Sequence, residues 1–233
     1  PCELGKNYRT DLAVQADVKQ TLRARLPVVR AMRTPEAAAR AAARLDALRP
    51  RNWTAQRAQA AAQANAAAAA SPIDPRYLVL QMCDQLGPDA VVIEEALTSA
   101  TPLPGFLHIA DRQSYYGLAS GGLGFGVPGA VGASLALPGR RVTAFIGDGS
   151  AMYGIQALWT AAHLKLPTTY VIANNRSYRI LKDRLVSMRA TDRFVGMDMR
   201  DPAIDYTGLA QSLGVPAPRV ADGADIVPAL REA

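Results

Sequence analysis

Two apolar runs separated by a helix-length interval constrain this chain more than any other feature. Val142 to Ile146 reads as a strand and ends in Gly147-Asp148-Gly149-Ser150. Tyr153 to Leu164 follows as a helix, and Thr169 to Ala173 as a second strand ending in Asn174-Asn175. Strand, helix and strand in this order predict two parallel neighbours joined by a crossover. Both strand ends then reach one edge of one sheet, and open α/β sheets bind ligands outside that carboxyl edge. A carboxylate, Asp148, and a carboxamide, Asn175, meet there. A hard cation such as Mg²⁺ takes oxygen ligands in octahedral geometry, commonly completed by phosphate and water. Asp148, the Asn175 side chain and a nearby main-chain carbonyl fit that demand. Gly147 and Gly149 let the backbone approach a phosphate, and a helix opening near Ala151 points its first amides at it.

From Ile73 onward the pattern is α/β throughout. Pro75 to Leu86 reads as a helix stopped by Gly87, and Ala90 to Ile93 as a short buried strand. Pro128 to Leu137 is a helix with proline in its first turn. Ile204 to Leu213 is a helix ending at Gly214, with a strand expected near Ala217 to Val220 and a last helix over Ala224 to Arg231. The fold class expected is α/β, a parallel sheet with helices on both faces. A helical, Ala-rich linker precedes it. Ala13 to Leu26 reads as an amphipathic helix with Val14, Val18, Leu22 and Leu26 four residues apart. Residues 31–72 are rich in alanine and arginine, with strong helix propensity but few large apolar side chains. They are expected to pack loosely.

Charge separates the two parts. Residues 1–70 hold 12 Lys/Arg against 5 Asp/Glu, and the rest hold 14 against 15. A nucleic-acid footprint is one reading of the basic part. No aromatic interleaving accompanies the arginines, so a solvated helical face or a surface meeting another domain is preferred, with no nucleic-acid partner. No run of 18 or more uncharged apolar residues occurs, so no membrane span is expected. The N-terminus lacks a signal-peptide pattern and an initiator methionine, which suits a fragment of a longer chain. The last helix is followed by no further strand, which suits truncation. Cys2 and Cys83 have no metal-type spacing. A disulfide between them is open in principle, and a reduced, cytoplasmic protein is the preferred reading.

Gly124-Phe125-Gly126-Val127-Pro128-Gly129 is a formal GxGxxG, with Asp148 lying 19 residues beyond Gly129. A dinucleotide site needs a strand before that run. Ile109 to Ser120 is a poor strand, and Ser150 and Asn175 would have no role in such a site. No GxxxxGK[ST] occurs, which excludes a P-loop.

GDGS, with Asn175 lying 27 positions after Asp148, resembles the cofactor signature of thiamine-diphosphate (ThDP) enzymes. Ser114-Tyr115-Tyr116, SGGLGFGVPGAVGASLALPGRRV from Ser120 to Val142, and GDGSAMYGIQALWTAAHLKLPT are similar to benzoylformate decarboxylases. The resemblance covers Ile73 to the C-terminus as the diphosphate- and Mg²⁺-binding domain. It implies that residues 1–30 are the tail of a middle domain and 31–72 the linker. It implies metal ligation by Asp148, Asn175 and the main-chain oxygen of Ser177. Thr98, in the polar segment Glu94 to Ser99, is implied as a phosphate contact. Gly121, Gly122, Leu123, Gly147, Gly149, Ser150 and Tyr178 complete the implied cofactor-binding set. The Gly121 carbonyl matches the acceptor for the cofactor's exocyclic amino group, and Leu123 the apolar wedge beneath its bent form.

No catalytic residue is implied within this chain. The family's activating glutamate lies in a pyrimidine-binding domain of a second subunit, and its histidines also lie upstream. His108 and His163 match none of them, so this chain alone is expected to be inactive. The implied activity is decarboxylation or carboligation of a 2-oxo acid by a homo-oligomer, a dimer or tetramer. An acetolactate-synthase-like or 2-hydroxyacyl-CoA-lyase-like enzyme is the alternative, and a non-catalytic partner module that keeps the fold is another. Ile180, Arg184 and Gly117 depart from the benzoylformate pattern, which argues against an aryl substrate. Arg179, Lys182 and Arg184 read either as a site for an acidic substrate or as a solvated face. Plainer readings also stand beside the implied ones. Asp148 and Asn175 are common turn formers at strand ends, and Leu123 reads equally as a core leucine.

Overall fold

The structure is a computed structural model that describes residues 5–233; Cys2, and with it any pairing to Cys83, lies outside the described residues. The chain forms two compact units, residues 1–55 and 56–233. In the first, α1 spans Val18–Ala31 and α2 spans Pro35–Leu48. Asp17 caps α1 by accepting from the Gln20 N–H. The helix therefore starts five residues later than the predicted start at Ala13, and it runs on through Pro27. A side-chain cap fixes the start of a helix where periodicity alone does not. Thr34 caps α2 in the same way, with proline at its first position.

The second unit takes in α3 (Trp53–Asn65) from Gln56 onward, followed by α4 (Pro75–Gln85) and β1 (Val91–Glu95). Then come α5 (Leu103–Phe106), β2 (Tyr115–Gly117), α6 (Gly126–Ala136) and β3 (Val142–Gly147). A turn of helix, α7 (Asp148–Ala151), is followed by α8 (Ala157–His163), β4 (Thr168–Ala173) and α9 (Arg179–Arg189). The unit closes with α10 (Tyr206–Ser212) and α11 (Ile226–Glu232). The four strands are parallel in the order β2-β1-β3-β4.

Alternation along the central strands makes two cores. Val92 and Phe145 face one layer, with Val79, Leu80 and Met82 of α4. Val91, Ile93, Val142, Ala144 and Ile146 face the other, with Val127 and Ala130 of α6 and Leu158 of α8. Side chains two residues apart share a face of a strand, so both faces of β1 and β3 are apolar and both are covered. This is the α/β class expected.

Three local expectations change. Tyr115–Gly117 lies within the segment read as a poor strand, yet it pairs with Val92 to Glu94 of β1. Three residues are too few to show an alternating pattern. Ala217 to Val220 forms no strand. Pro216 and Pro218 remove two N–H donors there, and a parallel ladder needs them. The end of the Ala-rich stretch is not loosely packed. Ala64 is fully buried in the first core, with Ala60 and Ala61 beside it. Small side chains let α3 approach closely.

Ala64→Leu is therefore expected to destabilise the protein by about 1–3 kcal/mol through overpacking. Ala43→Leu, on the exposed face of α2, should change stability by less than about 0.5 kcal/mol. Urea unfolding of both variants checks this, and equal effects would contradict the packing of α3.

Candidate functional site

The path of the chain fixes where a ligand can sit. From β1 the chain crosses to β2 on one side, then returns to β3 on the other side of β1. The reversal puts the switch point of the sheet at the carboxyl ends of β1 and β3, the position where open α/β sheets bind ligands. Gly147 packs there against the end of β1, since a Cβ would lie in ordinary contact, 3.7 Å from the Glu95 carbonyl oxygen and 3.8 Å from Ala96 Cα. Thr98, Gly121 to Leu123, Gly147 to Ser150 and Asn175 to Tyr178 follow the ends of β1, β2, β3 and β4 respectively. The sheet thus brings all of these sequence-derived candidates to one edge.

Asp148 begins α7 and is 3% exposed. Its Oδ1 accepts the Gly149 N–H at 2.8 Å, and its Oδ2 accepts the Arg176 N–H at 2.6 Å. The second bond ties the β3 turn to the β4 turn. Burial pushes the Asp148 carboxyl above its ordinary range, and the N–H donors of Gly149 and Arg176 only partly oppose it. No Lys, Arg or His side chain pairs with Asp148 among the described residues. A buried carboxylate without a counter-charge suits a bound cation. No cluster of three or more His, Cys, Asp or Glu occurs among the described residues. A site here must take its remaining ligands from neutral oxygens, as Mg²⁺ accepts.

Asn175 is exposed, and its Oδ1 accepts the Ser177 N–H at 2.9 Å, closing a tight turn. Arg176 within it has φ +54, in the left-handed region. The turn is clasped from outside. Ser177 bridges Asp198 in antiparallel fashion, the Tyr178 N–H donates to the Met197 carbonyl at 3.0 Å, and the Met199 N–H donates to the Arg176 carbonyl at 2.9 Å. The Tyr178 ring lies over Gly149, where a Cβ would come within 2.8 Å of Cε1. Any side chain at 149 would displace that ring.

On the opposite side, Gly121 has φ +77 and is exposed with Gly122, while Leu123 is 37% exposed. Leu123 is therefore presented at the edge and is not part of either core. Thr98 sits half-buried in the turn after β1, its carbonyl accepting from the Thr101 hydroxyl at 2.9 Å. Arg179 pairs with Asp183 at 2.8 Å and Lys182 with Asp198 at 2.7 Å, so both basic side chains already have acidic partners. His163 stacks on Trp159 with ring centroids 4.9 Å apart.

The sequence foretells the partners of neither Tyr206 nor Glu95, the latter read only as part of the polar segment Glu94 to Ser99. The Tyr206 hydroxyl donates to the Asp148 carbonyl at 2.9 Å from 58 residues away. Glu95 is buried and accepts from Gly124 and Gly126. The position of Glu95 at a strand end, ahead of a glycine run, is the only signal for it. Nothing local marks Tyr206.

Residues 103–233 match the family described as thiamine pyrophosphate enzyme, C-terminal TPP binding domain (thiamine pyrophosphate being another name for ThDP). The chain belongs to this family of ThDP-dependent enzymes. It is 37% identical over 163 residues to benzoylformate decarboxylase of Pseudomonas aeruginosa, covering 70% of this chain and 30% of the relative. It is 32% identical over 222 residues to the acetolactate synthase large subunit of Parasynechococcus marenigrum, covering 95% of this chain and 34% of the relative. Among solved structures it is similar to the thiamine diphosphate-dependent 4-hydroxybenzoylformate decarboxylase of Rhodococcus jostii RHA1. That likeness has a TM-score of 0.66 and 38% identity, over 70% of this chain and 30% of that one. The chain thus spans about a third of the length of these relatives. No helix among the described residues is long and apolar enough to cross a membrane.

Asp148→Ala is expected to leave the fold intact and to abolish Mg²⁺-dependent ThDP binding in the whole protein. Isothermal titration with and without Mg²⁺ checks this, and an unchanged affinity would remove Asp148 from the site.

Proposed function

We propose that the protein carrying this chain is a ThDP- and Mg²⁺-dependent enzyme that decarboxylates or ligates a 2-oxo acid, in the manner of the benzoylformate decarboxylases it resembles. The observation that carries this reading is Asp148, a buried carboxylate at the β1/β3 switch point that pairs with no basic side chain among the described residues. In this reading Asp148, the Asn175 side chain and the Ser177 main-chain oxygen hold Mg²⁺. Gly147, Gly149 and Ser150 face the diphosphate from the turn after β3, and Thr98 faces it from the turn after β1. Tyr178 closes over Gly149. Gly121 offers its carbonyl oxygen to the ring end, which its left-handed, side-chain-free backbone leaves open. Gly122 keeps that approach clear, and the partly exposed Leu123 supports the rings from below. ThDP, when bound, supplies the electron sink that lets CO₂ or an acyl partner leave.

The activating carboxyl group is proposed to come from a pyrimidine-binding domain of a second subunit, in a homo-oligomer. The exposure of the apolar side chains of Tyr153, Trp159 and Leu123 supports such a partner. A cytoplasmic setting is proposed from the sparse use of cysteine, with two in 233 residues. The acetolactate-synthase-like reading stands second because that relative aligns with 95% of the chain. Assay of the whole protein separates them. Benzoylformate or another single 2-oxo acid should release CO₂ and leave the aldehyde, whereas the second reading predicts acetolactate from pyruvate. No turnover of any 2-oxo acid with Mg²⁺ and ThDP present would overturn both.

Leu123→Ala should lower kcat far more than ThDP affinity. The diphosphate and metal contacts remain, and misplacing reacting groups by about 1 Å costs on the order of a hundredfold. Equal losses in kcat and affinity would make Leu123 a packing residue only.

A further inference from the structure

Glu95 is the last residue of β1 and is 0% exposed. A carboxylate removed from water needs a cation or several N–H donors. No Lys, Arg or His side chain pairs with it among the described residues. Its Oε1 accepts the Gly124 N–H at 2.6 Å and its Oε2 accepts the Gly126 N–H at 2.5 Å. Gly126 opens α6, and the residue before it, Phe125, gives that helix no side-chain cap. The carboxylate therefore caps α6 from a distant strand, where free amides and the helix dipole favour negative charge. The fit leaves no slack. A Cβ at Gly126 would lie 2.8 Å from Glu95 Oε2, and one at Gly124 would lie 2.7 Å from Tyr153 Cβ. Gly124 also has φ +99, a conformation that strains any L side chain.

The connection from β2 to α6 is thus fixed at its far end by two bonds to one carboxylate. The Gly121–Leu123 turn hangs directly from that fixed end. We propose that Glu95 is the positioning residue for this turn, setting the heights of the Gly121 carbonyl and the Leu123 side chain against the cofactor rings. The proposal rests on the roles given above to Gly121 and Leu123. A simple cap would stabilise α6 and do nothing more. The two roles differ in which end of the cofactor feels the loss. The diphosphate end is held from the turns after β3 and β4 and by Thr98 after β1, and the Glu95 side chain makes no hydrogen bond to any of these. The ring end is met by the turn that Glu95 holds.

Glu95→Gln keeps the size of the side chain but turns one acceptor oxygen into an NH₂ facing an N–H. In the whole protein, ThDP and inorganic pyrophosphate are each titrated in the presence of Mg²⁺. ThDP affinity should fall by about tenfold or more, with pyrophosphate affinity within about twofold of wild type. Val131→Ala, at a buried position of α6, serves as the control for lost helix stability. It should lower Tm without changing the ratio of the two affinities. If Glu95→Gln does not fold, Glu95→Asp keeps the charge but reaches only one of the two N–H groups, and the same ratio is read. Equal weakening of both ligands, or a Val131→Ala variant that reproduces the altered ratio, would reduce Glu95 to a cap and overturn the proposal. A wild type with no preference for ThDP over pyrophosphate would instead remove the roles of Gly121 and Leu123 on which it rests. The wild-type titrations alone reveal that case.

Discussion

The parallel pairing of β1 with β3 is the interaction on which the rest of this unit depends. Val91 to Glu95 runs in register with Val142 to Ile146, and nearly all of these residues are buried. Because the two strands are central, side chains on both of their faces enter apolar layers. Because the chain leaves β1 in one direction and returns on the other, the switch point of the sheet falls between their carboxyl ends. Hydrophobic burial thus determines where the sheet forms, and connectivity determines where its switch point lies. Polar groups are tolerated there only if each finds a partner.

Two buried carboxylates at this edge solve that problem differently. Glu95 takes both of its partners from amides of a glycine-bearing turn and a helix start. Asp148 also has amide donors, yet burial still dominates and raises it above an ordinary carboxylate. The two residues stand at the ends of neighbouring strands. One carboxylate joins a helix start to a distant strand, and the other ties the β3 turn to the β4 turn.

Much of this was legible in the sequence, and what was not shares a cause. β3 and β4 are continuous apolar runs bounded by polar turns, so both could be placed within a residue or so. Asp148 and Asn175 could be placed because a strand end has a known direction. β2 could not, because three residues held by a neighbouring strand carry no pattern of their own. The expected strand at Ala217 to Val220 weighed apolar character above the missing N–H groups of Pro216 and Pro218. The Tyr206 hydroxyl, the Met197 carbonyl and the partners of Glu95 act across 20 to 58 residues. Contacts of that range follow from the assembled sheet and leave no local trace.

The clasp between residues 176–178 and 197–199 separates the shape of the Asn175 turn from the length of the segment that holds it. The segment after α9 docks by backbone bonds, with Lys182 and Asp198 pinning it at 2.7 Å. Loop-closure entropy grows only with the logarithm of length, about 0.6 kcal/mol for each doubling. Residues between Arg189 and Met197 can thus be added or removed at small entropic cost while the turn keeps its form. This segment can be remodelled while the Asn175 turn stays as it is.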